Sequence, residues 1–239
     1  VELLGPDGQR RPVLLSITRT ADGTEPRDLM IFFAAPERRR YERELASAHR
    51  QLEDAESERA LLLQEAHHRA LHDPLTGLPN RRQLEESLLA ALARAGEQRH
   101  RVGMLFCDVN NFKNVNDTLG HAAGDRVLEH VARMLSHAVR DADTVTRYSG
   151  DEFVVLIPRL NHPAELEAVA ERVRNCLADA VPVAATELRL GMAVGTAEAA
   201  VPADADAAGH RELASALLIA ADHDMYRVKT EMRRAASED

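Results

Sequence analysis

The sequence predicts an α+β protein in which a central, mainly antiparallel sheet covered by helices occupies residues 72–239, behind a short β-meander and one long helix. Three observations predict it. Residues 37–71 hold neither glycine nor proline and are dominated by Glu, Arg, Ala, Leu and Gln, the composition of one uninterrupted helix. Residues 101–109 are a mostly apolar run of strand length. Two further runs, Thr144 to Tyr148 and Phe153 to Ile157, flank Ser149-Gly150-Asp151-Glu152, which reads as a β-hairpin with an acidic pair at its tip.

The elements follow in order. Up to about Ala35, the runs Val13 to Thr18 and Leu29 to Phe33 alternate with the turn signals Pro6-Asp7-Gly8 and Asp22-Gly23, an antiparallel meander. Together with the helix behind it, the meander resembles the last strands of a PAS sensor domain without the half that would form a ligand pocket, so residues 1–35 are assigned to a PAS-like remnant. Over residues 36–71, Leu45, Ala48, Leu52, Ala55 and Leu62 fall on a heptad seam interrupted by Arg59. A parallel two-stranded coiled coil acting as a signalling helix fits; a solvated helix lying on its own domain is the other reading. Asn80 can cap a helix with Leu84, Leu88 and Leu92 on one face, ending at Gly96. Beyond the strand Arg101 to Val109 come a helix from about Gly124 to Val139, the hairpin, a helix from Ala164 to Ala178, a strand from Leu188 to Gly195, and a last helix from about Glu212 to Arg233. The order α-β-α-β-β-α-β-α implies one sheet with helices packed over it.

With 239 residues the chain has room for a medium-sized domain and an appendage. A formal net charge of −9 argues against duplex nucleic acid as a partner, because such binders displace counterions with a basic surface. Any phosphate site must therefore be local. Two cysteines, Cys107 and Cys176, are too few for a disulfide framework and read as reduced, buried thiols. No apolar run approaches the roughly 18 residues that span a bilayer, and no signal-peptide pattern is present. This piece is expected to be cytoplasmic and to make no membrane contact. Beginning at Val1 inside a strand-like pattern, it reads as part of a longer protein with room for a membrane anchor upstream.

Asp108 ends an apolar strand, and Asp151 with Glu152 sits at a hairpin tip about forty residues later. If hairpin and strand are neighbours in the sheet, these carboxylates converge at its edge, where hard oxygen ligands bind Mg²⁺ together with triphosphate oxygens, the arrangement of two-metal phosphoryl transfer. The competing reading is a pair of solvated turn acids.

Four segments stand in order over residues 71–234: Leu71-His72-Asp73-Pro74-Leu75-Thr76-Gly77-Leu78-Pro79-Asn80-Arg81-Arg82, Phe106 through Asp125, Arg147-Tyr148-Ser149-Gly150-Asp151-Glu152-Phe153, and Ala221-Asp222 through Met225-Tyr226 to Lys229. Together they resemble the GGDEF family of diguanylate cyclases. The first is similar to the family's opening signature, the second to its nucleotide-binding segment, the third stands where the name motif stands, and the fourth resembles the closing helix. The resemblance implies a nucleotidyl-cyclase, polymerase-palm-like fold and a dimeric enzyme that joins two GTP into cyclic di-GMP and two pyrophosphates. It implies two Mg²⁺ per site, with Mn²⁺ possible, held by Asp108, the carbonyl of Val109 and Asp151, with Glu152 supporting metal or base function. Asn116 and Asp125 would read guanine, since an amide pairs with its carbonyl and ring edge and a carboxylate accepts from its N–H groups. In isolation they read as a turn residue and a helix cap. Lys113, Lys229 and Arg233 would neutralise phosphate, the last two being four apart on one helix face. Gly150 would let the backbone approach the nucleotide.

The chain departs from the family pattern at Ser149, which replaces the first glycine of the name motif and would be strained if the turn needs positive φ there. Asn110 stands where many members have a second aspartate, Ala193 replaces a usual serine, and Met232 and Arg234 replace Gly and Asn beside Arg233. Ser149 is the best support for an alternative, a degenerate domain that binds GTP or cyclic di-GMP as a receptor or scaffold without turnover. Arg140 and Asp143 form an RxxD pair nine positions ahead of Ser149, where the family has its inhibitory product site, and Arg172 stands where a second product-binding arginine often lies.

Overall fold

A computed structural model of the chain describes residues 1–22, 25–34, 38–177, 181–183, 186–188 and 190–238. They form two compact units, Val1–Glu65 and Ala66–Asp239. In the first, β1 (Glu2–Leu4), β2 (Arg10–Asp22) and β3 (Glu25–Ala34) make the expected antiparallel meander, in the order β1-β2-β3. The Pro6-Asp7-Gly8 signal is a turn in which Gly8 takes φ +75 and its N–H donates to the Gly5 carbonyl. The Asp22-Gly23 signal falls partly on Gly23, outside the described residues. Helix α1 (Arg38–Leu71) follows, and Leu45, Leu52 and Leu62 of its heptad seam are exposed. No helix among the described residues is long and apolar enough to cross a membrane.

The second unit runs α2 (Arg81–Gln98), β4 (Arg101–Val109), α3 (Phe112–Leu119), α4 (His121–Ala138), β5 (Thr144–Ser149), β6 (Glu152–Leu160), α5 (Pro163–Asn175), β7 (Val181–Val183), β8 (Thr186–Leu188), β9 (Met192–Ala200) and α6 (Ala207–Glu238). Its main sheet has the order β5-β6-β4-β9 with every pair antiparallel, so the α+β expectation holds. Because side chains alternate along a strand, β4 serves two cores. Met104 and Phe106 join Val154 and Leu156 against α2 and α6, while Leu105 and Cys107 join Phe153 and Val155 against α4 and α5. Cys107 and Cys176 are free, and burial pushes both thiols up, Cys176 to about 11.

Several boundaries differ from the sequence reading. Helix α2 does not end at Gly96 but runs to Gln98 and stops at Arg99 in the left-handed region. Gly96 is instead a packing glycine, where a β-carbon would sit 3.3 Å from Val201 Cγ1. The strand expected at Leu188 to Gly195 is divided, Leu188 pairing within the β7–β8 hairpin and the main-sheet strand starting at Met192. Short helix α3 was not anticipated, and α4 begins at His121 rather than Gly124. Helix α5 closes at Asn175, and Ala178 lies outside the described residues. Helix α6 starts earlier than expected because Asp206 Oδ1 accepts from the N–H groups of Ala208 (3.1 Å) and Gly209 (2.8 Å), an N-terminal cap.

Helix α6 lies on β9 so closely that a β-carbon at Gly195 would collide with the backbone nitrogen of Met225 and the carbonyl of Ala221. Backbone cannot step aside as a side chain can. Gly195→Ala should therefore lower unfolding free energy by about 1–3 kcal/mol through overpacking, read as a lower urea midpoint at unchanged slope. An unchanged midpoint would show that α6 is free to withdraw from the sheet.

Candidate active site

The register of β4 with β6 places Asp108 opposite Glu152, so the strand end and the hairpin tip are neighbours, as the sequence required. Paired residues of an antiparallel ladder share a face, and both side chains lie on the α2 and α6 side with Phe106 and Val154. Asp151 sits in the two-residue turn between the strands; its carbonyl accepts from the Val109 N–H at 3.2 Å. The turn is made possible by Gly150 at φ +47. Ser149 is the last residue of β5, outside the left-handed region, and its Oγ donates to Glu152 Oε2 at 2.8 Å. The strain feared at Ser149 is absent.

Asp108 is 5% exposed. Its Oδ2 accepts from Lys229 Nζ at 2.6 Å, while its buried Oδ1 has no hydrogen-bond partner. Partial burial pushes the Asp151 carboxyl above its ordinary value, and the charge of Asp108 adds to the shift against the pull of Lys229 and Arg147. Two carboxylates within electrostatic reach, one carrying an unpartnered buried oxygen, fit a divalent cation with oxygen ligands. Among the described residues no group of three or more His, Cys, Asp or Glu side chains converges on one point, so any such ion depends on backbone and phosphate oxygens as well.

Beside the carboxylates is a cleft of about 310 Å³ lined by Val109, Asn111, Lys113, Asp151, Lys229 and Arg233, with Phe112, Asn114 and Asp117 completing its wall. The three cations named from the sequence thus meet at one opening. Asn111 adopts φ +59 immediately before α3, so the N-terminus of that helix opens into the same cleft. Asn116 is half-buried on α3 and Asp125 is exposed in the first turns of α4; the Asn116 amide lies against Gly124, one residue before Asp125.

Asp73 of the first motif and Arg147 of the third organise the turn. Arg147 Nη1 donates to both oxygens of Asp73 (3.0 and 3.1 Å) and Arg147 Nε donates to the Gly150 carbonyl at 3.0 Å. Burial alone would raise the Asp73 carboxyl, but hydrogen bonds from Thr76 and Arg147 outweigh it and hold it below its ordinary value. Only the pairing of an acid in the first motif with a base in the third hinted at this contact.

Immediately before β5, Arg140 and Asp143 close a tight turn: the Asp143 N–H donates to the Arg140 carbonyl at 2.9 Å and the Arg140 N–H to Asp143 Oδ2 at 3.1 Å. Burial pushes the Asp143 carboxyl up against the pull of Arg140 and Arg172, so all three residues are within electrostatic reach. Arg172 Nε donates to the Ala138 carbonyl at 2.9 Å. A cleft of about 250 Å³ lies beside Arg140 and Asp143, walled by Leu78 and Pro79.

Comparison with known proteins shows the family and the fold. The chain is 37% identical over 171 residues to the diguanylate cyclase TpbB of Pseudomonas aeruginosa, covering 70% of this chain and 37% of TpbB. It therefore spans well under half the length of that curated relative. A solved structure of the GGDEF domain of TpbB matches with a TM-score of 0.60 at 34% identity, covering 67% of this chain and 89% of the domain. The coiled coil and GGDEF domain of DgcB from Caulobacter crescentus, solved with c-di-GMP, shares the fold at a TM-score of 0.66 and 24% identity, covering 80% of this chain and 95% of that one. Residues 70–235 match the family model described as diguanylate cyclase, GGDEF domain, and the chain belongs to that family.

Proposed function

We propose that this chain is a catalytically competent diguanylate cyclase that joins two GTP into cyclic di-GMP, releasing two pyrophosphates. The observation that carries the reading is the buried, unpartnered Asp108 Oδ1 beside Asp151, at the mouth of a cleft lined by Lys113, Lys229 and Arg233. Asp108, Asp151 and the Val109 carbonyl would hold Mg²⁺, two ions per site, or Mn²⁺ through the same oxygen donors. When bound, Mg²⁺ supplies positive charge at the phosphates and eases deprotonation of the attacking 3′-hydroxyl. The remaining work falls to the chain. Lys113, Lys229 and Arg233 bind the triphosphate, Lys229 exchanging its Asp108 partner for phosphate oxygen. Asn116 and Asp125 read the guanine edge. Gly150 keeps the turn free of a side chain, and Ser149 orients Glu152 on the Asp108 face. The receptor-only alternative draws its best support from the Ser149 departure; because Gly150 rather than Ser149 carries the positive φ of the turn, backbone strain does not add to that support.

The reading divides the chain into a PAS-like remnant (1–35), a signalling helix (36–71) and the cyclase domain (72–239). Leu45, Leu52 and Leu62, all more than half exposed, favour a parallel coiled-coil homodimer, as does the chemistry, since each 3′-hydroxyl must reach the α-phosphate of the other nucleotide. Arg140, Asp143 and Arg172 form the product site, where paired arginines suit the phosphates and guanine edges of cyclic di-GMP. The domain would work in the cytoplasm, on GTP.

Purified chain with GTP and Mg²⁺ should yield cyclic di-GMP, and Asp151→Asn should abolish it. The same substitution carries a second signature. Because the folded carboxyl titrates above 3.8, its ionised form opposes folding at neutral pH, and the opposition fades as the pH falls toward 3.8 and the proton binds. Without divalent cation, Asp151→Asn should therefore melt above the parent at neutral pH, with the gap closing in acid. A variant that turns over normally would sink the metal-site assignment; one that melts lower at neutral pH would contradict the burial argument.

Arg140→Ala should raise the plateau of accumulated product and weaken cyclic di-GMP binding outside the active site in calorimetry. Absence of such binding in the parent would reduce the RxxD pair to a surface turn. Inserting four residues into α1 shifts the heptad phase while inserting seven preserves it, so the first should change activity strongly and the second far less. Equal effects, or full activity in a monomer, would rule out coupling through the helix.

A further inference from the structure

We infer that Gly124 is a positioning residue for base recognition: its bare backbone is the platform that holds the Asn116 amide beside Asp125. The inference rests on the proposed reading of guanine by those two residues and names what sets their geometry. Asn116 and Phe112 are four apart, on one face of α3, and that face meets the start of α4. The connection between the helices is the single residue Gly120, at φ +81, whose N–H donates to the Asn116 carbonyl at 2.9 Å. So short a link brings the helices together over residue 124. A β-carbon there would collide with Asn116 Oδ1 and would lie 3.0 Å from its Cγ and 3.1 Å from Phe112 Cζ.

Helix propensity gives no reason for glycine here. The Gly124 N–H bonds the Gly120 carbonyl in ordinary helical fashion, and alanine is the better helix former. The requirement comes from the neighbour. The colliding atoms belong to the end of the Asn116 side chain and the edge of an aromatic ring, not to backbone, so they can swing aside. Alanine at 124 would thus keep the fold and displace the amide, which would leave guanine without one partner while the phosphate cleft at Lys113, Lys229 and Arg233 stays as it was.

The test compares the whole chain with Gly124→Ala and Asn116→Ala, measuring Mg²⁺-dependent binding of a GTP analogue uncleavable between its α- and β-phosphates, of the matching ATP analogue, and of pyrophosphate, together with thermal melting. For Gly124→Ala we expect about a tenfold loss for the GTP analogue, the size of one lost hydrogen-bonded contact, a lower guanine-to-adenine ratio, unchanged pyrophosphate binding and a melting temperature no lower than the parent's. Equal losses for pyrophosphate, or a lowered melting temperature, would make Gly124 a plain packing residue and overturn the inference. Parental affinity in Gly124→Ala with a loss in Asn116→Ala would overturn it while leaving the base-reading role intact. Parental affinity in both would remove the base-reading role and this inference together.

Discussion

The Arg147 side chain holds the turn that carries Asp151 in place. Its Nε binds the Gly150 carbonyl, its Nη1 binds both oxygens of Asp73, and its backbone N–H donates to the Pro79 carbonyl at 3.0 Å. At 16% and 18% exposure the Arg147–Asp73 pair is largely desolvated, so loss of one partner would leave the other charge poorly compensated. The pair also reaches back along the chain. Asp73 N–H donates to the Leu78 carbonyl, Asn80 N–H to the Leu71 carbonyl, and Asn80 Nδ2 to the Ala70 carbonyl. The last residues of α1 and the turn carrying Asp151 are therefore joined by a contiguous run of hydrogen bonds.

What the turn holds in place is unfavourable by itself. Asp108 and Asp151 are brought within reach of one another in partly dry surroundings, and burial together with the charge of Asp108 disfavours ionisation of Asp151. Lys229 neutralises one oxygen of Asp108, and the other is left buried without a donor, which costs roughly 1–3 kcal/mol by general experience. A domain selected for stability alone would fill that position with an apolar residue, as β4 does at Phe106. The two apolar cores on either face of β4 keep the strand fixed regardless, with the carboxylate at its penultimate residue.

How much of this was legible in the sequence follows from what was local. The strand Arg101–Val109 was read to the residue because its apolar run ends at a polar pair, and the hairpin was read because its turn sits between two β-rich runs. Lys229 and Arg233 were placed on one face by helical spacing and do line one cleft. Long-range packing was not legible. Gly96 reads locally as a helix stop, whereas its reason is Val201, more than a hundred positions away. The β9 strand, with Gly195, Ala197 and Ala199, lacks the bulky residues that announce a strand, whereas Leu188 and Leu190 drew the boundary early. Helix α3 was missed because its asparagines favour turns, and what makes it a helix is its packing on α4 through Gly120 and Gly124. The Asp73–Arg147 pair joins residues 74 positions apart, beyond any periodicity.

Ser149 departs from the motif without taking the left-handed backbone of the turn. Glycine earns its place in a turn through backbone freedom, and here that freedom is used at Gly150 alone, with φ +47. Ser149 is paired to Glu152 in the ladder, where any residue is accommodated. Its hydroxyl then makes a bond that glycine has no atom to make, donating to Glu152 Oε2 and restricting the rotamers of the carboxylate that shares a face with Asp108. A glycine at this position would return conformational entropy to the unfolded chain and release Glu152 to solvent. The serine therefore fixes an acidic side chain on the face that carries Asp108 without distorting the turn.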